Sequence, residues 1–150
     1  MAKLVVREAT LADVDSVANL FDAYRQFYEQ TPDTTLAVKF VGDRIKNQES
    51  VILVAETNER IVGFCQMYPT FCSVEAAPIA VLYDLFVLQS ARQTGAGRAL
   101  MLAAQDYAKK NSFARLDLST AKTNVNAQAL YESLGWQRDE VFYCYSLATS

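Results

Sequence analysis

A run of ten mostly apolar residues at positions 79–88 constrains the fold of this 150-residue chain more than any other segment. The run is almost continuous rather than alternating, which is typical of a strand that is covered on both faces of a sheet. A polar loop with Gly95 and Gly97 follows it, and the apolar positions beyond Gly97 recur with helical spacing. The segment therefore predicts a central strand, a glycine-containing loop and a helix in direct succession.

The hydrophobic pattern of the rest of the chain predicts a single mixed α/β domain over residues 1–150. Thr10 and Asp13 form a variant of the capping box before the first helix, and Gly135 ends the last helix. The predicted strands lie at residues 4–8, 51–55, 61–68, 79–88, 115–119, 136–138 and 141–147, of which the second and third should form an antiparallel hairpin. The predicted helices lie at residues 14–28, 36–47, 100–111 and 125–134.

The composition of the chain excludes several kinds of catalytic and metal site. It contains no histidine, so a Ser-His or Cys-His pair and a histidine-ligated zinc ion are excluded. Cys65, Cys72 and Cys144 have no Cys-x-x-Cys spacing, which argues against a disulfide framework or a thiolate metal site and favours buried, reduced thiols. We therefore expect no metal ion, and proton transfer must use a carboxylate, a tyrosine or water.

Charge and hydropathy indicate the expected surroundings of the protein. A net charge of −3 and a pI near 4.9 argue against a nucleic-acid partner. No apolar run approaches the roughly eighteen residues of a membrane span, and the first residues lack the pattern of a signal peptide. We expect a cytoplasmic protein that binds neither nucleic acid nor membrane.

The loop at residues 89–98 carries the strongest functional signal. Its alternate glycines let backbone N–H groups approach a ligand, and the start of the next helix adds donors and a positive dipole end, which together suit phosphate. A Walker loop is excluded because Arg98 and Ala99 follow Gly97 where a lysine and a hydroxyl residue are required. Leu100 stands where a dinucleotide-binding loop has its third glycine. A helix cap without a ligand is the alternative for an isolated Gly-x-Gly pair.

Two longer motifs resemble those of the GNAT superfamily of N-acetyltransferases. The first follows the strand at residues 82–87, is similar to the acetyl-CoA signature of that superfamily, and runs Arg92-x-x-Gly95-x-Gly97-Arg98. The second resembles a later block and runs Asn124-x-x-Ala127-x-x-Leu130-Tyr131-Glu132-x-x-Gly135-Trp136. The resemblance covers nearly the whole chain. It implies a mixed, mostly antiparallel central sheet of six to seven strands flanked by about four helices, with splayed central strands that form an acetyl-CoA cleft.

The resemblance also implies a set of coenzyme-binding residues. The pantetheine arm would run along Leu85, Phe86 and Val87, whose backbone groups would pair with its amides. The pyrophosphate would lie on the loop formed by Arg92, Gln93, Thr94, Gly95, Ala96, Gly97 and Arg98. Positions that lie beside the coenzyme arm in relatives are matched by Asn124, Ala127 and Tyr131. Acetyl-CoA is therefore the expected cosubstrate, and an amine is the expected acceptor.

Acetyl transfer from a thioester to an amine needs a base, a donor to the carbonyl oxygen and an acid for the departing thiolate. Tyr131 matches the acid of the family, and its phenol has an unperturbed pKa of about 10; packing on the last helix is its alternative role. Asp84 is the first choice for the base, because it interrupts an apolar strand where burial would raise its pKa. A purely structural Asp84, with Tyr83, Glu75 or water as the base, stays open. A strand N–H near Val87 would be the donor.

The acceptor side of the sequence leaves several alternatives open. Aromatic side chains could form a cation-binding wall with Glu29 or Asp33, although aromatic stripes at helical spacing are more often core. They are Tyr24, Phe27, Tyr28, Tyr68 and Phe71. Tyr83 stands where the polyamine acetyltransferases of this superfamily usually have a glutamate. An amino acid, an aminoglycoside, another small amine or a protein N-terminus is therefore equally open as the acceptor. A non-catalytic acyl-CoA-binding regulatory module is the alternative to an enzyme. The aromatic residues at positions 142, 143 and 145 allow a homodimer.

Overall fold

A computed structural model of the protein describes residues 3–150, which belong to two compact units. One unit ends at Leu118 and the other spans Ser119–Ser150. The strands of the first unit are β1 (Leu4–Glu8), β2 (Val51–Thr57), β3 (Arg60–Cys72), β4 (Ala77–Val87) and β5 (Leu116–Asp117). Its helices are α1 (Val14–Phe27), α2 (Thr34–Lys46) and α3 (Ala96–Lys110), and the second unit contains α4 (Val125–Ser133).

The first unit is built on one mixed sheet with the strand order β1-β2-β3-β4-β5. The first four strands pair antiparallel with their neighbours, and the β2–β3 pair confirms the predicted hairpin. β5 is shorter than predicted and pairs parallel with β4 through Ala80–Leu116 and Val81–Asp117. β4 therefore has a neighbour on each side, as expected of a buried strand, but it is the fourth strand of five rather than the middle one.

Helices cover both faces of this sheet. On one face, Phe21 of α1 packs edge-on against Phe64 of β3 in a buried cluster that includes residues of α2 and β2. α3 lies on the other face, because the Cβ position of Gly63, the residue before Phe64, is 3.4 Å from Leu100 Cδ1. Residues 51–55 of β2 are all buried, as a strand between two helical layers must be.

The predicted closing strands are absent from the second unit, all of whose residues the structure describes. Residues 3–150 thus contain five strands, not the six to seven that were expected, because residues 136–138 and 141–147 form none. The Asp139 carboxylate accepts the backbone N–H groups of Val141 at 2.8 Å and of Phe142 at 3.3 Å. These bonds occupy donors that a β-ladder would use. The alternating pattern predicted an extended segment, but alternation does not supply a partner strand.

The cysteines differ from the prediction in their burial. Cys65 is buried in β3, whereas Cys72 is half-buried and Cys144 is exposed. All three are free thiols, and burial raises the pKa of the Cys65 thiol to about 12. Cys144 is exposed because it lies in the segment that forms no strand.

Within residues 3–150, the structure contains neither a membrane-spanning helix nor a metal-binding group. No helix in this range is both long and apolar enough to cross a membrane. No three side chains of His, Cys, Asp or Glu in the same range are grouped so that they could hold a metal ion.

Arg7 ties the first strand to the start of α1. Its guanidinium donates to both carboxylate oxygens of Asp13, at 2.8 and 2.9 Å, and its Nε donates to Glu56 at 2.8 Å. Asp13 also accepts the backbone N–H of Thr10 at 2.7 Å, which is the predicted capping interaction. The bonds from Arg7, helped by the one from Thr10, hold the pKa of Asp13 at about 2, below its usual range.

The lowered pKa of Asp13 predicts an acid-sensitive contribution to stability. Because the folded-state pKa lies below the unfolded value, this contribution is present at neutral pH and is lost as the pH falls from about 4 to about 2. We expect Asp13→Asn to lower the free energy of unfolding at pH 7 by about 1–2 kcal/mol, a range that allows for solvent screening of the partly exposed Arg7. Urea unfolding at pH 7 and pH 3 measures this, with the exposed Asp15→Asn as control. The deficit of Asp13→Asn should shrink at pH 3, and an equal deficit at both pH values would contradict the prediction.

Candidate active site

A bulge in β4 separates two parts of the strand that have different neighbours. The register with β3 shifts between Gln66 and Met67, so that Tyr83 is an extra residue on β4. Pairing with β5 ends at Val81, just before the bulge. Bulges bend a strand and re-aim its side chains. Within the described first unit, residues 82–87 therefore pair with β3 on one side and have no paired strand on the other.

The open edge of β4 carries backbone groups that can bind a ligand. Leu88 N donates to Val62 O of β3 at 2.8 Å, and bonded and non-bonded pairs alternate along antiparallel strands. The backbone N–H and C=O groups of Leu85 and Val87 therefore point away from β3. Val87 O accepts a hydrogen bond from Arg92 Nε at 3.0 Å. The edge thus presents the N–H groups of Leu85 and Val87 as donors.

Asp84 is a buried carboxylate held by a chain of hydrogen bonds. It is 7% exposed, and Gln66 Nε2 donates to its Oδ2 at 2.8 Å. Gln66 is 1% exposed and accepts a bond from Ser50 Oγ at 2.7 Å. Burial raises the pKa of Asp84, although the hydrogen bond from Gln66 and the interaction with Tyr24 oppose the rise. The site therefore contains an oriented carboxyl group that binds a proton more readily than an exposed aspartate does.

Two tyrosines close to Asp84 are donors rather than bases. The Tyr24 hydroxyl donates to Tyr83 O at 3.2 Å, and the ring of Tyr68 meets the ring of Tyr83 edge-on at 5.5 Å. Burial, and then the negative charge of Asp84, raise the pKa of Tyr24 well above its usual range and that of Tyr68 to about 12. Both phenols stay protonated at neutral pH and can donate hydrogen bonds.

The weaker base candidates lie in less suitable surroundings. Tyr83 is 65% exposed, and Glu75 forms an ion pair with Arg115 at 2.9 Å. A base in a cleft benefits from burial, which raises the proton affinity of a carboxylate. Of the three side chains that the sequence suggested, Asp84 is the buried one, and burial raises its pKa.

The glycine loop joins β4 to α3 as predicted. Gly95 has a φ of 88°, and its Cβ position faces open space, so the backbone conformation rather than packing requires a glycine there. Ala99 N donates to Gly95 O at 2.9 Å as the first bond of α3. The preceding N–H groups of Ala96 and Gly97 have no acceptor within the helix itself. With the positive end of the helix dipole, these groups form a site suited to phosphate.

The other loop residues lie beside this helix start. Arg92 lies over the Phe86 ring, with its guanidinium carbon 5.7 Å from the ring centroid. Gln93 has a φ of 66°, and the Thr94 hydroxyl donates to the backbone of the preceding turn. Arg98 is exposed in the first turn of α3. The structure therefore brings the predicted phosphate-binding residues together in one loop.

The second unit contains the later motif on a capped helix. Asn124 Oδ1 accepts the N–H of Ala127 at 3.3 Å, so Asn124 is the N-cap of α4. Tyr131 is half-buried, and its ring lies 6.1 Å from that of Trp136, whose backbone N–H donates to Tyr131 O at 3.1 Å. Gly135, with a φ of 93°, follows the helix as predicted. These residues have local roles that fix α4 and the turn after it.

The sequence and the fold both match known acetyltransferases. Residues 14–136 match the acetyltransferase (GNAT) family. The chain is 45% identical over 142 residues to the uncharacterized N-acetyltransferase YhfO of Bacillus subtilis (strain 168), a match that covers 95% of each chain. The chain belongs to the GNAT acetyltransferase family. A solved probable acetyltransferase is 34% identical to this GNAT protein, with a TM-score of 0.92 over 97% of this chain and 98% of that one.

Membership of the GNAT family makes the protein an acyltransferase. A more distant structure, an aminoglycoside N-acetyltransferase in complex with CoA, is 16% identical and shares the fold with a TM-score of 0.82 over 98% of this chain and 96% of that one. In the described residues, this GNAT fold has four α-helices and a mixed five-stranded sheet.

Sequence reasoning missed two residues of the site, Gln66 and Ser50. Both act through hydrogen bonds that cross between strands, and sequence spacing does not reveal such pairs. One signal was available, because Gln66 is the only strongly polar residue in the run at 61–67. A buried amide must be hydrogen-bonded, so a glutamine in such a run indicates a polar partner nearby.

Proposed function

We propose that this GNAT protein is an acetyl-CoA-dependent N-acetyltransferase that moves an acetyl group directly to a primary amine of a small molecule or a peptide. The observation that carries the proposal is the buried Asp84 at the bulge of β4, beside an open strand edge that leads into the glycine loop. In the proposal, residues 1–150 act as one catalytic domain, which the family match over residues 14–136 supports. A cytoplasmic location and a homodimer stay predictions from the sequence.

The loop and the strand suit the coenzyme on chemical grounds. Helix-start N–H groups and arginines suit a pyrophosphate, and an open strand edge suits the amides of an extended arm. When bound, the coenzyme supplies the acetyl group as a thioester. The proposed coenzyme-binding residues are Leu85, Phe86, Val87, Arg92, Gln93, Thr94, Gly95, Ala96, Gly97, Arg98, Asn124, Ala127 and Tyr131.

Asp84 acts as the base in this proposal. A primary amine is mostly protonated at neutral pH, because its pKa is about 10. The ammonium pairs with the Asp84 carboxylate, and the raised pKa of that carboxyl group favours transfer of the proton to it. Gln66 fixes the orientation of the carboxylate through the bond to Oδ2. The deprotonated amine is then held as a nucleophile beside the open edge of β4.

Two further groups complete the proposed mechanism. An N–H group of Leu85 or Val87 donates to the carbonyl oxygen as negative charge develops there, which is worth about 3 kcal/mol in a preorganised site. Tyr131 donates its proton to the departing thiolate as the C–S bond breaks, and the second proton that the nitrogen loses on forming the amide restores the phenol. The role of Tyr131 rests on the match of residues 130–132 to the family motif.

Acetyl-CoA, a panel of primary amines and a free-thiol readout test the proposed function. The panel contains alkylamines, arylalkylamines, amino acids, polyamines, aminoglycosides and peptides. Thiol release that depends on an amine, with the acetylated amine detected by mass spectrometry, is the expected result. Coenzyme binding without transfer to any amine would favour a non-catalytic acyl-CoA-binding module, and absence of coenzyme binding would overturn both functions.

Arg98 is expected to contribute to coenzyme affinity, because a charge-assisted bond to phosphate is worth about 1.5 kcal/mol or more. At a CoA concentration of 100 times its Kd, the wild-type protein should be stabilised by about 2.7 kcal/mol. We expect Arg98→Gln to weaken binding about tenfold, so that the same concentration stabilises the variant by about 1.4 kcal/mol.

Unfolding of each protein with and without CoA measures this stabilisation. Lys110→Gln is the matched control, because it removes one positive charge at the other end of α3. It should keep the wild-type stabilisation. If CoA stabilised Arg98→Gln and Lys110→Gln equally, Arg98 would not belong to the coenzyme site.

A further inference from the structure

Aromatic side chains near Asp84 form a continuous surface instead of a buried stripe. We define the aromatic surface as Tyr24, Phe27, Tyr28, Tyr68 and Tyr83. The ring centroids of Phe27 and Tyr28 are 5.2 Å apart, and those of Tyr28 and Tyr24 are 5.1 Å apart. The Tyr24 hydroxyl donates to the backbone oxygen of Tyr83, and the ring of Tyr83 contacts that of Tyr68. Phe27, Tyr28 and Tyr83 are 61%, 46% and 65% exposed, so this part of the stripe is not core.

Asp84 follows Tyr83 in β4, next to the backbone oxygen that accepts the hydrogen bond from Tyr24 at 3.2 Å. Its negative charge acts on Tyr24 from α1 and on Tyr68 from β3. A carboxylate beside exposed rings complements a cation that is attached to an apolar body, because the charge pairs with the carboxylate while the rings cover the body. The aromatic surface and Asp84 therefore match a cationic amine with an apolar or aromatic group.

Arg44, a cation close to the aromatic surface, is engaged elsewhere. The side chains that shift the pKa of Asp84 are Gln66 and Tyr24, and neither is a cation. Arg44, which acts on Tyr68, is paired with Glu49 at 3.1 Å. An acceptor carboxylate at this place would therefore face the negative charge of Asp84.

A second ammonium group on the acceptor would gain little from the exposed carboxylate of Glu29, which follows Tyr28, because an exposed ion pair is worth about 1 kcal/mol at most. Asp84 is the carboxylate that acts on Tyr24, and Glu49, which acts on Tyr68, is already paired with Arg44. A second ammonium group loses hydration free energy when it moves from water onto aromatic rings. Without a carboxylate, its cation–π interaction with the rings offsets only part of that loss.

We infer that the acceptor is a primary monoamine with an aromatic or apolar body and no carboxylate, and not an amino acid or a polyamine. This inference rests on the proposed acetyltransferase function. The ammonium pairs with Asp84, and the body lies on the aromatic surface. Both halves of the acceptor are then matched by side chains of the first unit.

Four amines test the inference by changing the carboxylate, the ring or the number of ammonium groups, and putrescine, which also lacks the ring, is compared with ethylamine as well. They are 2-phenylethylamine, phenylalanine with its added carboxylate, ethylamine without the ring, and putrescine with a second ammonium. Thiol release from acetyl-CoA gives kcat/KM for each amine. We expect the value for 2-phenylethylamine to exceed each of the others at least about tenfold.

Three results would overturn the inference. A higher kcat/KM for phenylalanine would assign its carboxylate a cation such as Arg25, whose buried Nη1 has no hydrogen-bond partner among the described residues. A higher kcat/KM for putrescine or for ethylamine would show that the aromatic surface does not select an amine with an aromatic body. In each of these cases transfer to an amine still occurs, so the proposed function stands. Absence of transfer to every amine would overturn the proposed function and this inference together.

The variants Phe27→Ala and Tyr28→Ala test the aromatic surface directly. Both side chains are exposed, so the variants should fold. Each should lower the ratio of kcat/KM for 2-phenylethylamine to that for ethylamine by about fivefold, because the variant loses an apolar contact that becomes buried when the amine binds. Leu102→Ala, which truncates an exposed apolar side chain on α3, is the control and should leave the ratio unchanged. An unchanged ratio in both aromatic variants would overturn the inference.

Discussion

Replacing Asp84 with asparagine is expected to lower kcat/KM for amine acetylation by about 100-fold or more, because the proposed base, which takes the amine proton, is lost. Asparagine has nearly the same shape, and its carbonyl oxygen can still accept the hydrogen bond from Gln66 Nε2. The fold should therefore persist. Burial raises the pKa of Asp84, so the ionised carboxylate costs stability as the pH rises, and the variant lacks this cost. Thermal unfolding at neutral pH should give the variant a Tm equal to or above that of the wild type.

The pH profile of the same variant separates a base from a structural carboxylate. In the wild type, kcat/KM should rise as Asp84 loses its proton at a pH above the usual range of an aspartate. Tyr24, Tyr68 and Cys65 interact with Asp84, but the pKa of each is raised, so none of them titrates between pH 5 and pH 8. Asp84→Asn should lose this rise, and the exposed Asp106→Asn should keep it. An unchanged profile in Asp84→Asn would remove Asp84 from the mechanism.

Features of the site that depend on local pattern could be predicted from the sequence. A strand followed by Gly95 and a helical apolar period specifies the loop, since a positive φ and a helix start are local properties. Asp84 stands out as the one charge in an apolar run, and its burial follows from the strand around it. The helix that carries Tyr131 follows in the same way from the Asn124 cap and Gly135.

Features that depend on strand register could not be predicted. β4 bulges at Tyr83 because its register with β3 shifts there. The register between two long apolar strands depends on both of them, so the sequence of one strand alone does not predict it. Gln66 meets Asp84 through that register, across 18 positions of the sequence. The prediction of the closing strands was wrong for a related reason. Their alternating pattern fits a strand, but Asp139 binds the N–H groups that a ladder needs.

The aromatic residues of α1 show that helical periodicity alone does not predict burial. The helical spacing favoured a core position for the whole stripe. Tyr24 does meet the core, since its ring contacts Phe64 and Phe86, both at 6.1 Å. Phe27 and Tyr28 lie where α1 ends, and they are exposed. Periodicity gives the direction of a side chain around a helix axis, but not whether the neighbouring layer extends far enough to cover it.

Replacing Tyr131 with phenylalanine is expected to lower kcat about 100-fold, because the departing thiolate loses its proposed proton donor. Phenylalanine keeps the ring that packs near Trp136, and the backbone bond from Trp136 N to Tyr131 O does not involve the hydroxyl. The helix and the turn after it should therefore survive the change. Turnover with saturating acetyl-CoA and amine measures kcat, and Tyr145→Phe, which removes an exposed hydroxyl from the same unit, should be close to wild type.

The split between kcat and KM distinguishes an acid from a coenzyme contact at Tyr131. An interaction made only in the transition state lowers kcat and leaves KM for acetyl-CoA nearly unchanged, whereas a lost ground-state contact raises KM with kcat preserved. We expect the first pattern. A kcat for Tyr131→Phe within about twofold of wild type would show that its hydroxyl is not the acid. Since the chain contains no histidine, the thiolate would then leave unprotonated or take its proton from water or from another phenol.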